Sequence, residues 1–286
     1  MVTTTASNAS QQEARKRELR QKPRSRWPVT VAAVLAVVAL LLVGFIALRR
    51  HQNDVVTFSG SPTQVLVNNA AGLVIVVPSD GNQVQVSRRA KWTLLKPDMA
   101  VEVEGGTLVV QADCVGPSFI CDVQYRVSVP SDVAVKVVGG DGDVEIAGVG
   151  GRVDVQTTGG DVSLSNLASD VKVRTSGGDV TLDSISGGVD IATDGGSIHG
   201  TSLTSTLIQT GTSSGDISLN VTGAPDRIGS GSASGDIDLV VPDLAYAVDA
   251  KASSPEDVTV DVTESSTATR TISAQTGSGQ IFIARG

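Results

Sequence analysis

Aspartate returns at a fixed step along this sequence. Asp143, Asp161, Asp179, Asp216 and Asp236 hold one position of an internal repeat, and Ser197 takes that position between the third and the fourth. Carboxylates stacked at a regular interval could hold a divalent cation. The strings GGDVSLSNL and GGDVTLDSI have the length and the first two glycines of the calcium-roll nonapeptide. Asp143, Asp161 and Asp179 are therefore candidate calcium ligands. The strings lack the third glycine and the inward aspartate that complete such a site. The competing reading gives each aspartate the N–H groups of a turn, as in an Asx-type corner. The row would then also supply repulsion that keeps strand edges from pairing.

Other chemistry is thinly supplied. Gly211-Thr212-Ser213-Ser214-Gly215 matches the nucleophile-elbow string, but Asp216-Ile217-Ser218-Leu219 after it reads as a strand, where an elbow needs a helix. No histidine follows Ser213, so the hydrolase reading is set aside. His199 alternates with Ile198 and should face solvent, and His51 has no evident catalytic partner. Two His and two Cys leave little for a zinc site. A net charge of −8 argues against a nucleic-acid binder. No cofactor and no catalytic residue is expected. A carbohydrate-active β-helix with paired carboxylates is the enzyme alternative. Short corners and 3% aromatics weigh against it. Cys114 and Cys121, in DCVGPSFICD, read as a local disulfide in an oxidising compartment, or as two free thiols if the chain lies inside.

The elements that place the aspartates are short strands. From Gly142 the repeats read GDVEIAGVGGRVDVQTTG, GDVSLSNLASDVKVRTSG and GDVTLDSISGGVDIATDG, then continue less regularly through GDISL and GDIDL. The key position advances by 18, 18, 18, 19 and 20 residues. Each repeat holds two alternating runs, such as Val162-Ser163-Leu164 and Val171-Lys172-Val173, the pattern of half-buried strands. Glycine pairs between them would accept the positive φ of a tight corner. Two strands per period predict a β-solenoid with about 18-residue coils, stacked roughly 4.8 Å apart. Val144, Val162, Val180, Ile198, Ile217 and Ile237 would form one core row. Gln209 would take the place of Val173 and Ile191. An antiparallel meander of 9-residue units is the structural alternative. Residues 55–138 and those after Ala250 are expected as flanking strands that cap the stack.

The N-terminal part differs in kind. Residues 1–27 carry seven basic residues against two acidic ones, a charge of +5, while the part after the apolar run carries −13. Residues 28–48, PVTVAAVLAVVALLLVGFIAL, contain no charge and as a helix would span roughly 31 Å, enough for a bilayer. Arg49, Arg50 and His51 follow with no Ala-x-Ala pattern, so an uncleaved signal anchor is preferred to a cleaved signal peptide. The basic excess before the span places the N-terminus in the cytoplasm and the rest outside. The expected domains are a basic tail over 1–27, a transmembrane helix over 28–48, a polar stalk over 49–60 and a β-solenoid domain over 61–286 with regular repeats at 140–250.

The strings GDVEI, GDVSL, GDVTL, GDISL and GDIDL, with VPSDVAVKV and VPDLAYAVDA, resemble the bacterial putative-adhesin family over about residues 60–284. The resemblance implies a right-handed β-solenoid-like fold on the cell surface, and no catalytic residues come with it. Some members of that family occur beside envelope-stress membrane proteins. The function expected is a non-catalytic, single-pass bacterial membrane protein whose outer module binds an envelope protein or a cell-wall polysaccharide. A part in an envelope-stress or signalling complex is the alternative.

Overall fold

The computed structural model describes residues 27–60, 62–69, 72–114 and 120–286. Helix α1 covers Trp27–Ala47. Its described side chains run from Val31 to Ile46, with Leu35, Leu40, Leu41 and Ile46 more than half exposed. Among the described residues no helix is long and apolar enough to cross a membrane. The transmembrane span expected over 28–48 is thus met by a helix in this place, not by a described span. The basic tail before Trp27 lies outside the described residues.

Arg49–Gly286 forms a compact unit whose described residues are all β apart from one short 3₁₀ turn at Pro255–Asp257. Before the repeats come β1 (Arg50–Phe58), β2 (Gln64–Asn69), β3 (Val74–Pro78), β4 (Val84–Trp92), β5 (Asp98–Glu104), β6 (Thr107–Asp113), β7 (Cys121–Val129) and β8 (Ala134–Gly139). The repeats supply β9 (Val144–Ala147), β10 (Val153–Gln156), β11 (Val162–Leu167), β12 (Val171–Thr175), β13 (Val180–Ile185), β14 (Val189–Thr193), β15 (Ile198–Leu203), β16 (Leu207–Thr212), β17 (Ile217–Val221), β18 (Arg227–Ser232), β19 (Ile237–Val241) and β20 (Ala245–Lys251). The chain closes with β21 (Val258–Asp261), β22 (Thr263–Glu264), β23 (Thr271–Thr276) and β24 (Ile281–Arg285).

These strands make two long sheets. One has the order β1-β4-β7-β3-β9-β11-β13-β15-β17-β19-β24-β21 and the other β22-β20-β23-β18-β16-β14-β12-β10-β8-β2-β6-β5. From β8 to β19 successive strands alternate between the sheets and pair in parallel, as in a solenoid rather than a meander. Val144, Val162 and Val180 are ladder partners at the 18-residue step. With Ile198, Ile217 and Ile237 they form the expected core row, each at most 1% exposed. Parallel in-register stacking puts the same side chain above itself in every layer, which is why β-branched residues recur at these positions.

The flanks depart from simple capping. β2 and β3 enter the parallel ladders, Val65 between Val135 and Leu108, and Val74 between Val144 and Tyr125. β6 and β7 therefore lie outside them, although they come later in the chain. The C-terminal end is laid down the same way. Ile281 pairs with Ile237 on one side and Val258 on the other, so β23 and β24 sit inside β20 and β21. Among the described residues antiparallel pairing is confined to β1–β4, β4–β7 and β5–β6, at the N-terminal edges. The stretch 49–60, read as a polar stalk, carries β1: its backbone is used by the edge of β4, and Asp54 meets Arg88 across that ladder. One register also differs. Thr210, not Gln209, stands opposite Ile191, because the longer step after Ile198 is absorbed before β16 and Gln209 turns outward beside Asp190. Thr210 is buried and shares a 3.0 Å hydrogen bond with Ser230 in the next layer.

Candidate functional site

The aspartate row lies at one corner of the stack, where the chain leaves the second sheet and enters the first. Each carboxylate accepts a hydrogen bond from the backbone N–H of the equivalent residue one layer on. Asp161 N donates to Asp143 Oδ1 at 3.1 Å, Asp179 N to Asp161 Oδ1 at 3.0 Å and Ser197 N to Asp179 Oδ1 at 2.7 Å. Ser197 continues the row with its hydroxyl, accepting from Asp216 N at 3.2 Å. Asp216 Oδ1 then accepts from Asp236 N, and Asp236 Oδ1 from Gln280 N at 2.7 Å. The aspartates thus bond N–H groups, as the Asx-type reading had it, but across layers rather than within their own turns. The ladder tolerates serine because a hydroxyl oxygen accepts as a carboxylate does.

A second ladder lies just inside the first and was not read from the sequence. Thr175, Thr193, Thr212, Ser232 and Thr276 end strands of the second sheet, Thr157 directly follows β10, and all six are buried. Thr212 Oγ1 donates to Gly196 O at 2.9 Å and accepts from Gly215 N at 3.1 Å. Thr193 makes the same pair of contacts with Gly178 O and Gly196 N. Thr193 and Thr212 thereby each satisfy a turn N–H of their own layer and a carbonyl of the layer before, while Thr175 accepts from Gly178 N, and Thr157, Ser232 and Thr276 donate to Gly140 O, Gly215 O and Gly235 O. The signal was present as a threonine or serine three residues before each corner glycine, in TTGGD, TSGGD, TDGGS, TSSGD and SASGD. Thr212 belongs to the discarded elbow string and is one of these hydroxyls.

The corner glycines serve a different purpose from the one expected. Gly160, Gly178, Gly196 and Gly215 have no positive φ. A Cβ on Gly178 would lie 1.9 Å from Gly160 O, and one on Gly196 would lie 2.0 Å from Gly178 O. Close approach of stacked backbones requires glycine here. Positive φ occurs instead at Gly148, Asn166, Ser184 and Ser202, again at a step of 18, where the chain bends at the far end of the first-sheet strands. Asparagine and glycine accept that conformation best, and serine occupies it at a cost.

No group of three or more His, Cys, Asp or Glu stands close enough to hold a metal ion among the described residues. Asp238 stands near the end of the row, beside Asp236 and Asp216. Burial pushes its carboxyl above the usual carboxylate range, and the charges of Asp236 and Asp216 add to that. At the other end, the Gln52 amide, 2.6 Å away, and the Arg88 guanidinium hold the Asp54 carboxyl below that range. Cys114 and Cys121 form a disulfide at the start of β7, with Cα atoms 5.8 Å apart. His199 and His51 are exposed. An open depression of about 820 Å³ lies at the ends of β3 and β4, lined by Ser79, Asp80, Asn82, Gln83 and Gln85 among others, with Asp80 as its carboxylate.

A family model described as Toastrack DUF4097 matches residues 46–284. The chain belongs to the Toastrack family. The match takes in both ladders, the disulfide and the strands tucked in at each end. Among solved structures, a similar fold is seen in a protein from Bacteroides fragilis described as a putative adhesin. It is 18% identical, with a TM-score of 0.51 over 82% of this chain and 97% of that one. A putative lipid binding protein from Parabacteroides distasonis is 13% identical, with a TM-score of 0.34 over 81% of this chain and 96% of that one. At 18% identity the likeness to the Bacteroides fragilis protein concerns the fold. No curated protein matches the chain.

Proposed function

We propose that this Toastrack protein is a membrane-anchored module whose β-unit lies outside the cell and binds an envelope or surface partner without chemistry of its own. The observation that carries this reading is the use made of the corner groups. The repeated carboxylates and hydroxyls are taken up by the backbone of neighbouring layers. The outward side chains are left as ordered polar rows. On the second sheet Lys136, Asp154, Lys172 and Asp190 follow one another across the ladder with alternating charge. Arg174 grips Asp190 through two contacts of 2.8 Å. Such a surface recognises by shape and charge over an extended area.

Residues 28–48 supply the anchor in this reading, and the seven basic residues before them set a cytoplasmic N-terminus. The coils take the right-handed sense that parallel crossovers favour. An envelope protein or a cell-wall polysaccharide is the partner. A second reading, as part of an envelope-stress or signalling complex, is favoured by the basic tail, which would carry information inward.

The test compares retention of residues 49–286 on isolated cell-wall material and on detergent-solubilised membranes from the same cell. Saturable retention on the wall supports the adhesin-like reading. Recovery of one membrane protein, with no wall retention, favours the complex. Release of the full chain from membranes by alkaline carbonate would overturn the anchor.

A further inference from the structure

The β1–β4 ladder begins with Arg50 opposite Trp92 and His51 opposite Lys91. Just Leu48 and Arg49 separate this ladder from the end of the apolar helix. β4 stops at Trp92, and the link to β5 carries Leu94-Leu95-Lys96. Leu94 is 73% exposed and Leu95 is 60% exposed. Arg49, Arg50, Lys91, Trp92 and Asp122 help line a depression of about 450 Å³. Lys96 lines a separate hollow with Gln52 and Arg88 and acts electrostatically on Asp54, so it faces β1 as well. The acidic residues nearby are Asp122, Asp98 and Asp113, the last opposite Asp98 in the β5–β6 ladder, while Asp54 is paired with Arg88. Cations are thus in excess here, on a segment whose overall charge is −13.

A single exposed leucine needs no explanation. Two adjacent ones at the tip of a link, flanked by tryptophan and by Arg49, Arg50, Lys91 and Lys96, are a different matter. That is the composition of a surface that sits at a membrane interface, with apolar tips in the acyl boundary and cations on anionic headgroups. The excess of positive charge excludes a basic partner, and the covalent neighbour of the patch is itself a helix of bare apolar side chains.

We propose that this end of the β-unit rests on the bilayer, with Leu94 and Leu95 entering its interface and Arg50, Lys91 and Lys96 holding the phosphates of anionic lipids. The proposal rests on the anchored reading for which membrane is met, but binding itself does not require the helix. The contact would fix how the repeat stack stands on the membrane, so that its polar rows are presented at a set angle.

The test uses residues 49–286. The core of this unit is built from residues at Phe58 and beyond, so it folds without the helix. Co-sedimentation is measured with vesicles of phosphatidylcholine alone and of phosphatidylcholine mixed with phosphatidylglycerol. Retention on the anionic vesicles should be roughly tenfold higher and should fall with salt. K91Q/K96Q should lower it by roughly tenfold. L94S/L95S should remove the part that survives high salt. These side chains are exposed, so the unfolding midpoints should not move. Three results would overturn the proposal: sedimentation unchanged by either vesicle, competition by inorganic phosphate at matched ionic strength, or self-association abolished by L94S/L95S, which would assign the face to a second copy. Carbonate release of the full chain overturns the anchor and leaves this measurement standing.

Discussion

Asp161 and Gly178 stand at successive layers of the same corner, and each is there for the backbone of the layer next to it. Asp161 Oδ1 accepts from Asp179 N at 3.0 Å. Asp161→Ala leaves that N–H to water and should cost about 1 kcal/mol, while Asp161→Asn keeps an acceptor and should cost less. Denaturant midpoints for the two variants measure the difference. Because the carboxylates already serve N–H donors, the melting temperature of residues 49–286 should be the same in calcium and in chelator; a rise in calcium would restore the cation reading. Glycine gives a sharper contrast. Gly178→Ala would place its Cβ 1.9 Å from Gly160 O and must push two layers apart, at a cost of about 3 kcal/mol or more. Gly177→Ala, one residue earlier, meets nothing nearer than Thr158 O at 3.7 Å. That change should be neutral, or should stabilise by about 0.5 kcal/mol through the unfolded chain. The aspartate row and its step were legible in the sequence. What the glycines were for was not, because positive φ and close approach call for the same residue and are separated by coordinates alone. The serines at positive φ, Ser184 and Ser202, were hidden for the opposite reason, since their residue type does not announce that conformation.

At the scale of elements, the alternation of apolar and polar residues marked the strands well, because each strand has one face in the core and one in solvent. Pairing was less legible. Nothing in the local pattern of β2 or β3 distinguishes a strand that joins the parallel stack from one that caps it. The two tyrosines report on the layers at either end. Tyr125, in β7, is 1% exposed and donates to Gln111 O of β6 at 2.8 Å, tying the two sheets together. Burial pushes its hydroxyl up to about 12. Tyr246, in β20, donates to Pro242 O and is also shifted upward by burial. A hydroxyl whose folded pKa exceeds the unfolded value of about 10 stabilises the fold fully below pH 10. That contribution is lost as pH rises through the folded value, for Tyr125 between about pH 10 and 12. Ultraviolet titration of the native protein should therefore show the Tyr125 share of the tyrosinate signal missing near pH 10, and unfolding in denaturant should restore it there. The chain has just two tyrosines, so a native transition near pH 10 that accounts for both would show that the layer holding Tyr125 is open.

For the β-unit as a whole, the order in which layers are laid down decides what each part of the chain is worth. In a simple repeat stack each coil touches just its neighbours, so stability is close to a sum over layers and an inner coil can be removed whole. Deleting residues 162–179 takes out one 18-residue coil and joins Asp161 to Val180, which restores the string GGDV. Val144 then pairs with Val180 and Asp143 reaches the corner N–H of the layer that follows. This variant should remain folded and unfold at a somewhat lower denaturant concentration, with a smaller m-value for the surface lost. The last 16 residues, 271–286, are of similar length but stand in a different position. β23 and β24 lie between β18 and β20 and between β19 and β21, so their loss strips β20 and β21 of every main-chain partner in the stack. Truncation at residue 270 should therefore unfold everything beyond β19 and expose the edges of β18 and β19, with aggregation as the visible result. Hydrogen exchange offers the same comparison without mutation: amides of Ile272 and Ile281, close to the end of the chain, should be protected like those of the inner repeats and better than those of β20 and β21. Rapid exchange at Ile281 would mean that the chain end is a dispensable tail rather than an inner layer.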